Sequence, residues 1–443
     1  MEEKFCGSVI VPGSPQYDIA RQEFNRSIQK YPAFITYCTD EEAVIDAVLA
    51  ARESDCKIQV RSGGHNYEGF SVGNRSAVID VSCMDKVTLD EAAGTLTAGP
   101  GTLNRELYEL MGSYGYPFPS GTCPTVAVAG LTLGGGWGLS ARMFGLTCDS
   151  LISAILIDAH GGRHVADSEH ETQLFFGLRG GGGGNFGVVT SLTYRLPPKL
   201  FDVTYVELEA FSVTKAMAAE FIQCFQQWLL MGDRRLTPIA RIYHTPDEPR
   251  TLLLRGIYYG SEAQARASLA SFLSLGLNGT FEEMTFLQAI RIVEDGYPPY
   301  ERFTTGGRFA FARFSKEEAE RIVTSIDTLA EGSVGGFISL YGLGGAVSGV
   351  LSNETAFFYR GAINIIALST NWEDPCAKHA NLDWFAPRYR AMQGITCGSY
   401  VNFPNLENQE YMCAYYGGNA KCLSAIKTCL DPENVFCFPQ SIC

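Results

Sequence analysis

Apolar residues along this chain recur with two spacings, and the switches between them lay out its elements. In Glu42-Ala43-Val44-Ile45-Asp46-Ala47-Val48 they fall on one helical face, which predicts an amphipathic helix over about 39–55 with Thr39 or Asp40 as N-cap. Lys57-Ile58-Gln59-Val60-Arg61 alternates as a strand does and runs into Ser62-Gly63-Gly64-His65. Short strands are expected at 77–81 and 94–101, then a helix at 103–111. The segments 151–158 and 163–166 read as a hairpin turned at Gly161-Gly162. A strand over 187–194 is stopped by Pro197-Pro198. Beyond Phe201 strands and helices intermingle. Strands are predicted at 203–208, 240–243, 252–258, 336–341 and 362–368. Helices are predicted through Met217, Phe221, Phe225 and Trp228, over 262–275, and over 316–329, where Ala319, Ile322, Val323, Ile326 and Leu329 share a face. A last helix covers 421–430. The fold class expected is α+β, with the second unit an antiparallel sheet carrying helices on one face.

Composition narrows the function. The chain has 443 residues, 34 basic against 48 acidic, for a net charge of −14. A field of that sign repels nucleic-acid backbones and anionic lipid, so neither is expected as a partner. No apolar run reaches the roughly 18–20 residues of a spanning helix, and Met1-Glu2-Glu3-Lys4-Phe5-Cys6 shows no secretory pattern. A soluble, cytoplasmic protein is the expectation. The 14 cysteines include no C-x-x-C pair and the six histidines form no H-E-x-x-H array, so most thiols should be reduced and no metal site is expected.

Glycine supplies the first chemical signal. It is concentrated in Ser62-Gly63-Gly64-His65, over 130–138, and in Gly180-Gly181-Gly182-Gly183-Gly184-Asn185-Phe186-Gly187. Glycine lets backbone N–H groups approach a ligand and cradle anions. None of the three stretches is a P-loop or a Rossmann fingerprint, yet together they suggest a large phosphate-bearing cofactor.

The residues around them resemble a known family. Arg61-Ser62-Gly63-Gly64-His65-Asn66-Tyr67-Glu68-Gly69 is similar to the R-S-G-G-H-x-Y-x-G signature of the berberine-bridge-enzyme-like FAD-linked oxidases, within the vanillyl-alcohol-oxidase superfamily. Gly121-Thr122-Cys123-Pro124-Thr125-Val126-Ala127-Val128-Ala129-Gly130 resembles their second signature. The blocks at Tyr400-Val401-Asn402, Tyr415-Tyr416-Gly417-Gly418-Asn419 and 431–442 resemble their closing region. Ala127, Ala129 and Leu131 depart from the pattern, where glycines and a histidine are common.

The resemblance implies FAD attached twice, through His65 and Cys123. It implies further cofactor contacts from Arg61, Ser62, Gly63, Gly64, Asn66, Gly121, Thr125, Val126, Gly130, Gly138, Val189, Asn402, Tyr415 and Asn419. By the same resemblance Tyr400 is the base that takes a substrate hydroxyl proton, Tyr341 its partner, and Tyr67 and Thr122 substrate neighbours. It implies an FAD-binding domain over 1–198, a substrate domain over 199–390, and a C-terminal return over 391–443. The activity implied is oxidation of an alcohol, a carbohydrate or glycoside foremost, with O2 as acceptor and hydrogen peroxide as product. A flavin dehydrogenase, and an oxidative cyclase or desaturase of aromatic natural products, are the alternatives.

Overall fold

The computed structural model describes residues 5–443. Three sheets carry the chain. The first contains β1 (Val9–Ile10), β2 (Phe34–Tyr37), β3 (Ile58–Arg61) and β4 (Ala77–Asp80) in the order β1-β2-β4-β3, with β4 parallel to both β2 and β3. The crossover from β2 to β3 is the predicted helix, Glu41–Glu53. Asp40 caps it by accepting the Ala43 N–H at 2.9 Å, and Val44, Ala47, Val48 and Ala51 are buried against Ile58, Ala77 and Ile79. The second sheet contains β5 (Val87–Asp90), β6 (Thr95–Ala98), β7 (Leu151–Ile157), β8 (Arg163–Asp167) and β9 (Val188–Arg195), antiparallel throughout, in the order β5-β6-β9-β7-β8.

The third sheet holds β10 (Asp202–Ala210), β11 (Ile239–His244), β12 (Thr251–Tyr258), β13 (Asn278–Thr285), β14 (Phe303–Ala310), β15 (Ser333–Gly342), β16 (Asn364–Trp372) and β17 (Cys397–Ser399). Its order is β13-β10-β12-β11-β15-β16-β14-β17 and every pairing is antiparallel. Strand alternation divides its residues between two environments. Ala240, Ile242, Leu254, Ile338 and Leu368 pack under the helices Lys215–Met231, Lys316–Thr324 and Lys378–Gln393, against Phe221, Phe225, Ile322 and Trp384. Each such ring or branched chain contributes about 1.5–3 kcal/mol by leaving water. Ile239, Arg241, Ser339 and Tyr341 project from the other face, toward the first two sheets. The architecture is the expected two-part α+β fold.

Several elements differ from expectation. The stretch 262–275 breaks at Leu269 into helices Glu262–Ser268 and Ala270–Ser274, and the helix from Lys316 ends at Thr324. Strands β13 and β14 and the helices Phe286–Glu294 and Lys378–Gln393 lie outside the elements the spacing predicts. In β14 all eight residues are buried, so no alternation marks it, and its paired glycines exist for packing. A Cβ on Gly306 would lie 2.6 Å from the Tyr389 ring, and one on Gly307 2.7 Å from Phe403. Strand β17 extends the large sheet beyond residue 390. Cys6 and Cys83 form a disulfide, a bond favoured by oxidising surroundings, while the other twelve cysteines are free thiols. No helix among the described residues is long and apolar enough to cross a membrane.

The returning tail fastens the third glycine stretch. Lys427, buried in the helix Ala420–Leu430, donates from Nζ at 2.7 Å to Asn185 O, Phe436 O and Asp431 Oδ2. The Ile442 N–H donates to Asn185 Oδ1 at 2.9 Å, and the Tyr416 hydroxyl to Gly181 O at 2.8 Å. A loop rich in glycine is entropically loose on its own; these bonds fix it where it borders the cavity.

Candidate active site

Where the large sheet faces the other two, the chain encloses a cavity of about 470 Å³. The loop after β3 delivers His65 to it. Gly64, at φ +66°, takes the left-handed turn that a side chain would strain. The His65 ring stacks on Phe24, with centroids 4.2 Å apart, and its Nε2 lies 2.9 Å from Thr125 Oγ1. Burial pushes the imidazole pKa down to about 3, so the ring is neutral. Cys123, from the second signature, places Sγ 3.7 Å from the same Thr125 hydroxyl. Burial pushes its thiol up and hydrogen bonds from Thr125 pull it partly back. One hydroxyl therefore touches both residues expected to hold the cofactor, although Thr125 itself does not line the cavity.

The glycine stretches form part of the wall, and space explains them. A Cβ on Gly130 would meet nothing nearer than Ser62 Oγ at 3.9 Å, and one on Gly183 nothing nearer than Leu133 at 3.8 Å. Neither glycine is demanded by packing, and a side chain at either would project into room that a ligand can use. Ser62, Gly63, Gly64, Asn66, Gly121, Val126, Val189, Asn402 and Tyr415 line the same cavity, as do Tyr67 and Thr122. Tyr415 also donates to Gln440 Oε1 at 2.5 Å, tying the tail to the wall. An elongated ligand bearing phosphates and a flat ring suits a wall of glycine backbone that also carries His65 and Cys123.

Besides Thr125, four expected site residues are elsewhere. Arg61 is buried beneath the loop, paired with Asp80 and hydrogen-bonded to the Tyr37 hydroxyl. Gly138 serves packing, since a Cβ there would lie 1.7 Å from Ser120 O. Asn419 spends its amide on Ser352 O and Thr355 O, at 2.7 and 3.0 Å. Tyr400, expected as the base, does not face the cavity. Its hydroxyl accepts from the Gly136 and Trp137 N–H groups at 3.0 and 3.2 Å and from Asn402 Nδ2 at 3.2 Å, and burial pushes it up to about 12. Phe403, three residues on, is the ring that reaches the cavity, stacked on Tyr67 with centroids 5.4 Å apart and 5.1 Å from Tyr341.

Tyr341 does line the cavity, and three further residues join it: Arg241, Tyr297 and Glu301. Burial pushes the Tyr341 hydroxyl up, and the Arg241 guanidinium beside it pulls it back. Tyr297 and Thr122 share a hydrogen bond of 2.6 Å, and burial takes the Tyr297 phenol up to about 12. Glu301 is likewise raised by burial while Arg241 opposes the shift. A signal for Arg241 exists in the sequence. In β11 it alternates with core residues Ala240 and Ile242, so it must face the opposite side. Tyr297 and Glu301 sit in an irregular segment with no periodicity to place them.

Comparison with known proteins identifies the lineage. An FAD binding domain matches residues 32–167, and a berberine and berberine-like domain matches 399–443. An FAD-linked oxidoreductase of Bacillus subtilis (strain 168) is 34% identical, over 99% of this chain and 97% of that protein. A xylooligosaccharide oxidase of Thermothelomyces thermophilus is 27% identical, over 98% of this chain and 92% of its own length. Among solved structures, wild-type BBE-like 1 of Physcomitrella patens superposes with a TM-score of 0.90 at 26% identity, covering 98% of this chain and 96% of that one. The chain belongs to the berberine-bridge-enzyme-like FAD-linked oxidoreductases.

Proposed function

We propose that the protein is an oxidase of alcohols, with a carbohydrate or glycoside hydroxyl as the leading substrate class, and that it holds FAD through both His65 and Cys123. The observation that carries the double attachment is the shared hydroxyl of Thr125, 2.9 Å from His65 Nε2 and 3.7 Å from Cys123 Sγ. With Nε2 engaged, Nδ1 of a neutral ring is the atom that bonds the cofactor. When bound, FAD accepts a hydride from the substrate carbon and passes the electrons to O2, giving hydrogen peroxide.

The chain's own part is to hold the alcohol and move its proton. Tyr341 is the base in this reading. It reaches the cavity, and Arg241 lies close enough to favour its phenolate. Tyr67 and the Thr122–Tyr297 pair supply hydroxyls that orient the substrate, and Phe403 forms an apolar wall between Tyr67 and Tyr341. The oligosaccharide-oxidising relative supports the substrate class.

Intact-mass measurement tests the attachment. The wild type should carry FAD after acid denaturation, His65→Ala and Cys123→Ala should each retain one bond, and the double variant should release the flavin. Anaerobic mixing with a panel of mono- and oligosaccharides should bleach the flavin, and air should restore its colour with peroxide formed. Tyr341→Phe should lower the rate of bleaching by about 10²–10⁴-fold. Fast reoxidation by a dye but not by air would instead mark a dehydrogenase, and a protein no alcohol bleaches would refute the activity.

A further inference from the structure

One charge in the cavity lacks an answering charge. Arg241 stands on β11 opposite Leu253 of β12 and Ser339 of β15, facing inward. Its Nε is shielded from solvent and makes no hydrogen bond. Among the described residues it forms no ion pair, whereas its neighbour Arg255, on the same wall, is paired with Glu207. Glu301 is the cavity's acidic group, but its carboxyl is occupied by an Asn371 hydrogen bond of 3.1 Å and lies beyond ion-pair distance. A guanidinium with a shielded, unpaired Nε and no ion-pair partner at the wall of a cavity is a group that a ligand can complete. The planar fork of N–H donors matches a carboxylate better than it matches a neutral hydroxyl.

We propose that Arg241 binds a carboxylate of the substrate, so that the alcohol oxidised is an acidic one, such as a uronate, an aldonate or a comparable hydroxy acid. This rests on the cavity being the alcohol-oxidising site. The sheet geometry suits it. Ser339 faces Arg241 directly, Tyr341 is the next residue of β15 on that face, and the Arg241 guanidinium lies beside the Tyr341 hydroxyl. A carboxylate on Arg241 therefore brings a hydroxyl on a nearby carbon of the same substrate beside Tyr341. The protein's net charge of −14 would repel acids at long range, which makes a lone cation at the reaction site the more pointed feature.

The test uses the flavin-loaded protein and matched probes: D-glucuronate, D-galacturonate, D-gluconate and DL-lactate, each against a neutral counterpart such as D-glucose, D-galactose, glycerol or 1,2-propanediol. Binding is read as perturbation of flavin absorbance, and turnover as its bleaching. At least one acid should bind about 10–100-fold more tightly than its neutral counterpart, and Arg241→Gln should abolish that ratio, read within the variant as acid against neutral probe. Arg241→Lys should restore part of it, which separates loss of charge from loss of folding. Neutral probes that bind as well as the acids, or an acid preference that survives Arg241→Gln, would overturn the proposal. Bleaching by neutral sugars without acid preference leaves alcohol oxidation standing and removes the acid. Arg241-dependent acid binding without bleaching keeps the anion site and removes alcohol oxidation.

Discussion

Glu23 offers a prediction whose size follows from its surroundings. The side chain is 1% exposed, under the loop that carries His65. Its Oε2 accepts from Ser71 Oγ at 2.8 Å, and a Cβ on Gly64 would lie 3.2 Å from that oxygen. Oε1 has no partner. Arg61 is 3.6 Å away but already committed to Asp80, so burial outweighs attraction and the carboxyl is pushed up to about 7. The unfolded chain ionises the same group near 4.3. Between those values the folded protein binds more protons than the unfolded one, so this contribution to stability is intact below about 4.3 and is lost as pH rises toward 7. A difference of about 2.7 pH units corresponds to about 3–4 kcal/mol. With an unfolding entropy of about 2.1 cal/mol/K per residue, that amounts to about 3–4 °C in Tm for a chain of this length.

Glu23→Gln keeps the shape and removes the titration. Calorimetric melts of both proteins from pH 5 to 8.5 should converge at the acid end, with the variant about 3 °C more stable at the alkaline end. Glu68 and Glu294, also pushed up to about 7 by burial, titrate in both proteins and cancel in the difference. Parallel curves would refute the assignment. A variant less stable than the wild type above pH 7 would mean that the attraction of Arg61 exceeds the cost of burial.

The two kinds of glycine should separate cleanly. Gly138→Ala should abolish soluble expression because its methyl collides with Ser120 O, while Gly130→Ala should fold normally and bind less FAD, read as the flavin-to-protein absorbance ratio. Thr125→Val removes the hydroxyl shared by His65 and Cys123. Because Thr125 is an exposed side chain, melting should be unchanged, and acid should release flavin that the wild type retains. Lys427→Met strands the buried Asp431 carboxylate and frees Asn185 O, and should cost about 3–5 kcal/mol in chemical denaturation.

Much of the frame could be read in the chain because its signals are local. The cap at Asp40, the Gly161-Gly162 hairpin, and the helix bearing Phe221 and Phe225 each depend on residues a few positions apart. The elements that escaped are those whose reason is distant. Strand β14 looks unlike a strand because Gly306 and Gly307 answer to rings on Tyr389 and Phe403, roughly 80 to 100 residues away. The break at Leu269 leaves the apolar pattern continuous while the backbone stops being helical, and Leu269 still reaches the core.

The same distinction decides which site residues could be found. His65 and Cys123 lie in glycine-bounded loops whose chemistry is spelled out beside them, and both reach the cavity. Tyr400 lies in a segment where the chain leaves β17 and turns. Within four residues it sends one ring back onto the N–H groups of Gly136 and Trp137 and another, Phe403, into the cavity. No residue type marks which of the two faces inward; that is fixed by where the 136–137 backbone stands. Arg241 is the converse case. Alternation in β11 fixes its side of the sheet, but its meaning emerges only when the cavity is seen to bring no carboxylate within ion-pair distance of it. A site assembled where three sheets meet is thus legible at its anchors, where chemistry is local. It is opaque at its specificity, which depends on what each wall does not supply.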